Sequence, residues 1–547
     1  LQHLTTLFLS LFITIALIPI MTKLAARFHM VDFPNPRKVH VRPIPRIGGV
    51  AMAVGAFVPI ILWSTADNFI IAFVLGAAVI CIFGFIDDMR DLGYKSKFLA
   101  QIIAAAIIIA YGDIRITSFG GLMPDGMVLP DWFSIAFTLV AIIGVINAIN
   151  LADGLDGLAG GISLLGFCCI GYLAYIINDQ VALLISLSMA GAIFGFLRFN
   201  TYPASLFMGD TGSQLLGFTA IVLAIKITQS DTALSPVLPL IILGFPILDT
   251  LTVMIERISE GRSPFSPDKN HFHHRLLRFG LFHSEAVFAI YIIQALMIIA
   301  AITLKYHSDW LLLAGYAVFA AIIIIVFAVG DSRAFQFSRT KLLDQTFKGH
   351  LKIIRDEQWV IRISFGITKF LVPLLFVFAA LFPAQIPTYF SIGALCFCLA
   401  IAYVWIFRKA YMTWLIRVAL YLTIPLIIYL GEQDKAAWIG RHVEVLFIIF
   451  FAIGALFVLL TVKYSRRKKG FQATTMDFLI LFIAIVVPNL PDPVIRSQHL
   501  GYLAVEIIVL FFSYEVIITE MRGKLDVLAA PTIVALLVIG IRGITGF

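Results

Sequence analysis

Three histidines, His271, His273 and His274, stand within four positions of SPDKNHFHHRLLRFG, Ser266 to Gly280, beside Lys269, Arg275 and Arg278. That much cationic and imidazole nitrogen admits three chemistries: a metal site, a patch attracted to anionic lipid, or a pocket for a phosphorylated substrate. His271 and His274 are three apart and share a face if helical, but zinc would want a third protein ligand and an open position. Carboxylates recur elsewhere at the ends of apolar runs. Asp87 and Asp88 close one in GFIDDMRDLGYKSKF, Asp153 and Asp156 follow another in NAINLADGLDGLAGG, and Asp210 opens a third in RFNTYPASLFMGDTGSQLLG. Asp249 lies inside a fourth, GFPILDTLTVMIERI. A lone interfacial Asp is commonly a helix cap. Several at one mouth repel one another unless a cation joins them, and hard oxygen ligands suit magnesium. Gly154, Gly157, Gly160 and Gly161 would let backbone approach a ligand closely. Aspartate with magnesium, cationic side chains and backbone amides is a kit for a diphosphate-bearing substrate.

The elements that must position these residues are membrane spans. The chain has 547 residues, 61% hydrophobic and only 13% charged, with mean hydropathy +0.99. A soluble fold this apolar could not be covered by polar surface. The net charge of +8 sits in short loops between apolar runs, which excludes a nucleic-acid partner and fits a membrane orientation signal. Runs of about 17–22 apolar residues recur roughly eighteen times, about eleven before residue 330 and about seven after 362. The expected fold is therefore an all-α polytopic membrane protein, with a small outer β-hairpin near 113–130 where Gly120-Gly121 and Pro124-Asp125-Gly126 signal turns. Leu4–Leu24 reads as the first span, with no small-residue cleavage site after it. The five cysteines lie in apolar runs and read as packing residues. The loops carrying KVHVRPIPRIGG, DDMRD, NLADGLDG, FMGD and the histidine stretch are every second loop, so all five converge on one face. The Lys and Arg bias makes that face cytoplasmic. Residues 1–330, a basic linker 331–361 and a second membrane domain 362–547 are the expected divisions.

RKVHVRPIPRIGG, FIDDMRDLGYKSKFLAQ, NAINLADGLDGLAGG, FNTYPASLFMGDTGS and PDKNHFHHRLLRFG occur in that order. Together they resemble the polyprenyl-phosphate N-acetylhexosamine-1-phosphate transferases, over about residues 1–330. The HFHHRLL and VHVRPIPRIGG forms are similar to the branch that uses UDP-GlcNAc and undecaprenyl phosphate. The resemblance implies a bacterial inner-membrane enzyme facing the cytoplasm, a Mg2+ or Mn2+ cofactor, a homodimer, and a product that initiates cell-envelope polysaccharides such as O-antigen. It implies a metal at Asp210 and Asp88, and Asp87 and Asp88 at the catalytic centre with Asp153 and Asp156. Asn150, Asn200 and Phe207 would meet the nucleotide, Phe207 by stacking on uracil. Lys38, His40, Arg46, Lys269 and Arg275 would line the phosphates, and His271, His273 and His274 would hold the diphosphate.

Rival readings differ in what they leave unused. DDMRD fits the Asp-Asp-x-x-Asp pattern of an intramembrane prenyltransferase from Asp87 to Asp91, but that gives FMGD and the histidines no task. GDTG at Gly209–Gly212 is similar to intramembrane aspartyl protease signatures, but that gives the basic rim no task. A lipid or ion transporter would place its carboxylates at mid-membrane, whereas most here sit at span ends. No motif marks residues 331–547; His442 with Glu444, or Asp492 with Arg496, read as ordinary loop pairs.

Overall fold

Long apolar segments must satisfy their own backbone groups in lipid, and helices do so within the segment. The computed structural model obeys this. It describes residues 2–332 apart from 26, 28–29, 33–42, 125 and 264–269, and residues 359–545 apart from 409–410, 434–435, 437, 465–499 and 522–525. Lys38, His40, Lys269, most of the expected linker and an expected span near 475–490 lie outside these residues. Among the described residues twelve helices are long and apolar enough to cross a bilayer. The chain divides into two compact units, Leu1–Ser338 with Thr474–Met476, and Arg339–Ala473 with Asp477–Phe547.

In the first unit the helices are α1 (Gln2–Ala25), α2 (Gly48–Trp63), α3 (Asn68–Arg90), α4 (Tyr94–Ala110), α5 (Asp131–Ala152), α6 (Leu158–Ile176) and α7 (Gln180–Asn200). They continue with α8 (Gly209–Gln229), α9 (Leu238–Ile242), α10 (Gly244–Ser259), α11 (Phe272–Arg278), α12 (His283–Leu304) and α13 (Asp309–Ser332). Each expected span up to residue 330 has its helix, with one change. The span expected over 236–256 breaks at Leu243 into α9 and α10, where Pro239 and Pro246 bracket the junction. α8 is the hub: Thr211 through Ile225 are all buried, packed among α2, α3, α5, α6 and α7.

The β-hairpin expected near 113–130 is not formed among the described residues. That segment is irregular, with a 3-10 turn at Gly120–Leu122 and one cross-link from Leu129 N to Thr117 O at 2.8 Å. Side chains take the backbone groups a partner strand would have used. Gln229 Oε1 accepts from Thr117 N at 2.9 Å and Ser118 N at 3.2 Å, and Asp309 Oδ2 accepts from Gly121 N at 2.7 Å. The two-stranded antiparallel sheet lies instead at Val31–Asp32 and Ile44–Pro45.

The second unit contains α14 (Trp359–Ala379), α15 (Thr388–Phe407), α16 (Met412–Gln433), α17 (Arg441–Tyr464), α18 (Leu500–Met521) and α19 (Asp526–Thr545). α14 packs on α17, α15 on α19 and α16 on α18, around a core that includes Phe376, Ile416, Ile517 and Leu536. Two of its half-buried arginines are tied locally. Arg417 pairs with Glu515 at 3.0 Å, and Arg542 donates to the carbonyls of Leu381 at 2.9 Å and Pro383 at 2.8 Å. A cavity of about 400 Å³ is lined by Phe382, Glu432, Glu444, Phe447 and Glu506 among others.

Candidate active site

Asp88 explains why α3 and α8 meet where they do. A helix start leaves backbone N–H groups unpaired, and a carboxylate there is favoured by the helix dipole. Asp88 supplies it from another helix. Its Oδ1 accepts from Asp210 N at 2.8 Å, and its Oδ2 accepts from Thr211 N at 3.1 Å and Thr211 Oγ1 at 2.8 Å. Gly209, at φ +67°, makes the approach possible: a Cβ there would lie 2.5 Å from the Asp88 carboxylate oxygens. Asp88 is thus committed to the first turn of α8, which is the turn that carries Asp210. Asp88 is expected on the metal from the sequence; in the structure its two oxygens hold three donors that anchor this turn.

Asp87 and Asp210 face each other across a lysine. Lys97, in the first turn of α4, puts Nζ 2.8 Å from Asp87 Oδ2 and 2.5 Å from Asp210 Oδ2. Asp87 Oδ1 is buried with no hydrogen-bond partner in the described structure. Asn150, near the end of α5, donates to Ser213 Oγ at 2.7 Å and lies 3.3 Å from Asp210 Oδ1. Behind them runs an amide chain, with Asn147 donating to Gln101 at 2.8 Å and Gln101 to Gln214 at 3.1 Å.

The other loops join this mouth. Asp153, half-buried just beyond α5, has its carboxyl pushed up from 3.8 to about 7, first by burial, then by the charges of Asp210, Asp156 and Asp88, with Arg46 opposing. Asp156 Oδ2 accepts from Ala204 N at 2.9 Å, clasping the α5–α6 loop to the α7–α8 loop. Phe207, half-buried, is bridged through its backbone to Arg46, and Phe207 O accepts from Gly48 N at 2.9 Å. Arg46 itself is ion-paired to Asp32.

The histidine arm lies against the same loops. A Cβ on Gly154 would collide with the His273 ring, so glycine at this position lets the imidazole rest on backbone. His273 is buried and its Nε2 has no partner in the described structure; burial, then the neighbouring His274, His271 and His283, hold its pKa well below 6.5, so it is neutral. The His271 and His273 rings are nearly parallel, 5.8 Å apart. Five loops expected on one face therefore touch one another at one end of the first unit.

Two residues expected at the substrate are occupied structurally instead. Asn200 is buried, its Oδ1 accepting from Gly157 N at 2.9 Å and its Nδ2 donating to Leu206 O at 2.8 Å, which leaves little for a nucleotide. Arg275 is also buried: it pairs with Glu256, lies 3.2 Å from Asp331 and donates to Asn270 O at 2.7 Å, pinning α11 to α10 and α13. Lys97 was missed as a site residue, although it stands ten positions after Asp87 in the quoted FIDDMRDLGYKSKFLAQ block. His283, stacked on Tyr202 at 4.4 Å, gave no sequence signal.

The fold and site define a multi-pass membrane enzyme whose acidic, cationic and imidazole groups meet at one end of a helical bundle. The glycosyl transferase family 4 model matches residues 70–228, which hold Asp87, Asp88, Asp153, Asp156 and Asp210. The chain is 36% identical over 320 residues to a Bacillus subtilis protein named probable undecaprenyl-phosphate N-acetylglucosaminyl 1-phosphate transferase, covering 58% of this chain and 88% of that one. It is 35% identical to the decaprenyl-phosphate N-acetylglucosaminephosphotransferase of Mycolicibacterium smegmatis, covering 49% and 74%. It is 30% identical to the undecaprenyl-phosphate alpha-N-acetylglucosaminyl 1-phosphate transferase of Escherichia coli K12, covering 53% and 82%. The chain belongs to glycosyl transferase family 4.

Proposed function

We infer that this protein transfers GlcNAc-1-phosphate from UDP-GlcNAc to undecaprenyl phosphate, releasing UMP and leaving a lipid diphosphate sugar. The observation that carries the reading is the meeting of Asp87, Asp210 and Lys97 at one mouth, with the histidine arm resting on Gly154. The names of the relatives support it. The prenyltransferase reading is weaker, because Asp88 of its Asp-Asp-x-x-Asp pattern is spent on α8.

An oxygen of the lipid phosphate attacks the phosphorus bonded to GlcNAc. The bond from that phosphorus to the bridging oxygen breaks, and UMP leaves with the electron pair. A phosphate monoester is largely ionised near neutral pH, with a second pKa of about 6, so no strong base is required. Asp87 is therefore not needed as a base: one of its oxygens lies on Lys97, and the other, unpaired in the described structure, is left for a cation. Lys97 offsets charge as the two phosphorylated reactants approach, and the helices align them. His271 and His274 offer nitrogen to diphosphate oxygens, while neutral His273 packs the loop.

The residues fit magnesium, or manganese in its place. The Lys97 ammonium already sits as a cation between two carboxylates, and Asp87 keeps an orphaned oxygen. Magnesium takes one or two carboxylates and completes its shell with water and phosphate. Asp210 and Asp87 would hold it, and when bound it would supply charge neutralisation at the diphosphate. The soluble nucleotide sugar assigns this mouth to the cytoplasmic side of a bacterial cell membrane, and residues 1–330 carry the reaction.

The test is turnover of the full-length protein in detergent with UDP-GlcNAc, undecaprenyl phosphate and Mg2+. Release of UMP with an equimolar lipid-linked GlcNAc is expected, abolished by EDTA. Release of UDP or of inorganic diphosphate would overturn the reading.

A further inference from the structure

Asp249 has no part in the transfer scheme above, yet both its oxygens are engaged. It is buried, as is His271. Its Oδ2 lies 2.9 Å from His271 Nδ1, and its Oδ1 accepts from Phe272 N at 2.7 Å. Phe272 opens α11, so this carboxylate also caps the helix that carries the histidine arm. A buried carboxylate is costly unless its partners compensate, and breaking such a pair costs more than never having made it.

The pairing dictates the state of the ring. An ionised carboxylate only accepts hydrogen bonds, so Nδ1 of His271 must carry the proton. The remaining polar atom, Nε2, lies on the other side of the ring and makes no hydrogen bond among the described residues. A carboxylate behind an imidazole sets its tautomer and fixes its orientation. The ring's near-parallel stack on His273, itself lodged against Gly154, keeps it beside the Asp153–Asp156 loop.

We propose that Asp249 is a positioning residue of the reaction: through Nδ1 it holds His271 so that Nε2 is presented to the phosphate groups of the nucleotide sugar. This rests on the function inferred above. Asp249 contacts no substrate; it acts through His271. The simpler alternative is that it only caps α11, and the two differ in whether its effect survives loss of the imidazole.

The experiment uses full-length protein in detergent. UMP release by the wild type tests the functional reading itself, and the variants are read against that rate. Asp249→Asn keeps an oxygen for Phe272 N but removes the charge behind the ring. Replacements behind a working histidine commonly cost between about ten and ten thousandfold. The expected result is a kcat loss of more than tenfold for Asp249→Asn. In a His271→Gln background, adding Asp249→Asn is expected to cost less than tenfold further, because residues acting as a unit are not additive. Histidine 15N spectra read the ring without turnover: the His271 signal, identified by its loss in His271→Gln, is expected to show a protonated Nδ1 in the wild type and to shift in Asp249→Asn. A loss within tenfold for the single variant, a further loss above tenfold in the double variant, or an unprotonated Nδ1 in the wild type would each overturn the proposal.

Discussion

The two units use polar groups inside apolar helices to opposite ends. In the second, the described charged pairings stay within the unit: Arg417 takes Glu515, and Arg542 takes carbonyls of the turn that follows α14. Such pairings tie helices together and export nothing. In the first, the polar groups of α3, α4, α5, α8, α10 and α11 run toward one end and leave atoms uncommitted there, Asp87 Oδ1 and His273 Nε2 among them. An unpaired atom alone does not mark chemistry, since Arg417 Nε and the Tyr514 hydroxyl also lack partners among the described residues; what sets the first unit apart is that its incomplete groups gather at one mouth.

The comparison breaks most readily at Asp210. Asp210→Asn is expected to lower transfer on the order of a thousandfold, as removal of a charge-stabilising group at a reaction centre does, with the helices intact by circular dichroism. Lys97→Ala follows, with a loss on the order of a hundredfold in UMP release, since Asp87 and Asp210 then face each other without a cation. Gly154→Ala should cost about tenfold in kcat/KM, because the added methyl displaces the His273 ring. A subtler test is pH. Asp153 holds its proton up to about 7 in the fold but only to about 4 when unfolded, so the native state binds the extra proton between those values. Metal-free protein should lose thermal stability as pH rises through that window, and Asp153→Asn should flatten the slope. The smallest effect on chemistry belongs to the second unit. Arg542→Ala should lower stability by about 1–3 kcal/mol in denaturant titration, leaving the transfer rate per folded molecule within about twofold. A larger fall in rate would erase the distinction between the units.

Much of this was legible because membranes impose simple rules. Span length and loop charge located the helices of the first unit, and the alternation of loops brought DDMRD, NLADGLDG, FMGD and the histidines to one end. Local pattern could not say which carboxylate serves which purpose. Asp87 and Asp88 are adjacent, yet a helical step of about 100° points one at Lys97 and the other at the start of α8. Arg275 reads as a phosphate ligand by type, but Glu256 and Asp331 come from helices distant in sequence. The loop at 113–130 has the turn residues of a hairpin, and its outcome was decided by Gln229 and Asp309, which no local window contains. Asp249 stood out as an ionisable group within an apolar run, though its partner did not.

α8 begins at the turn that carries Asp210 and ends at Gln229, whose amide grips the Thr117–Ser118 backbone of the far loop. Its 21 residues form a rod of about 30 Å, sheathed on nearly every side. The Asp210 turn and the Gln229 clasp are thus the two ends of one buried helix, so the far loop and the mouth share a single rigid support.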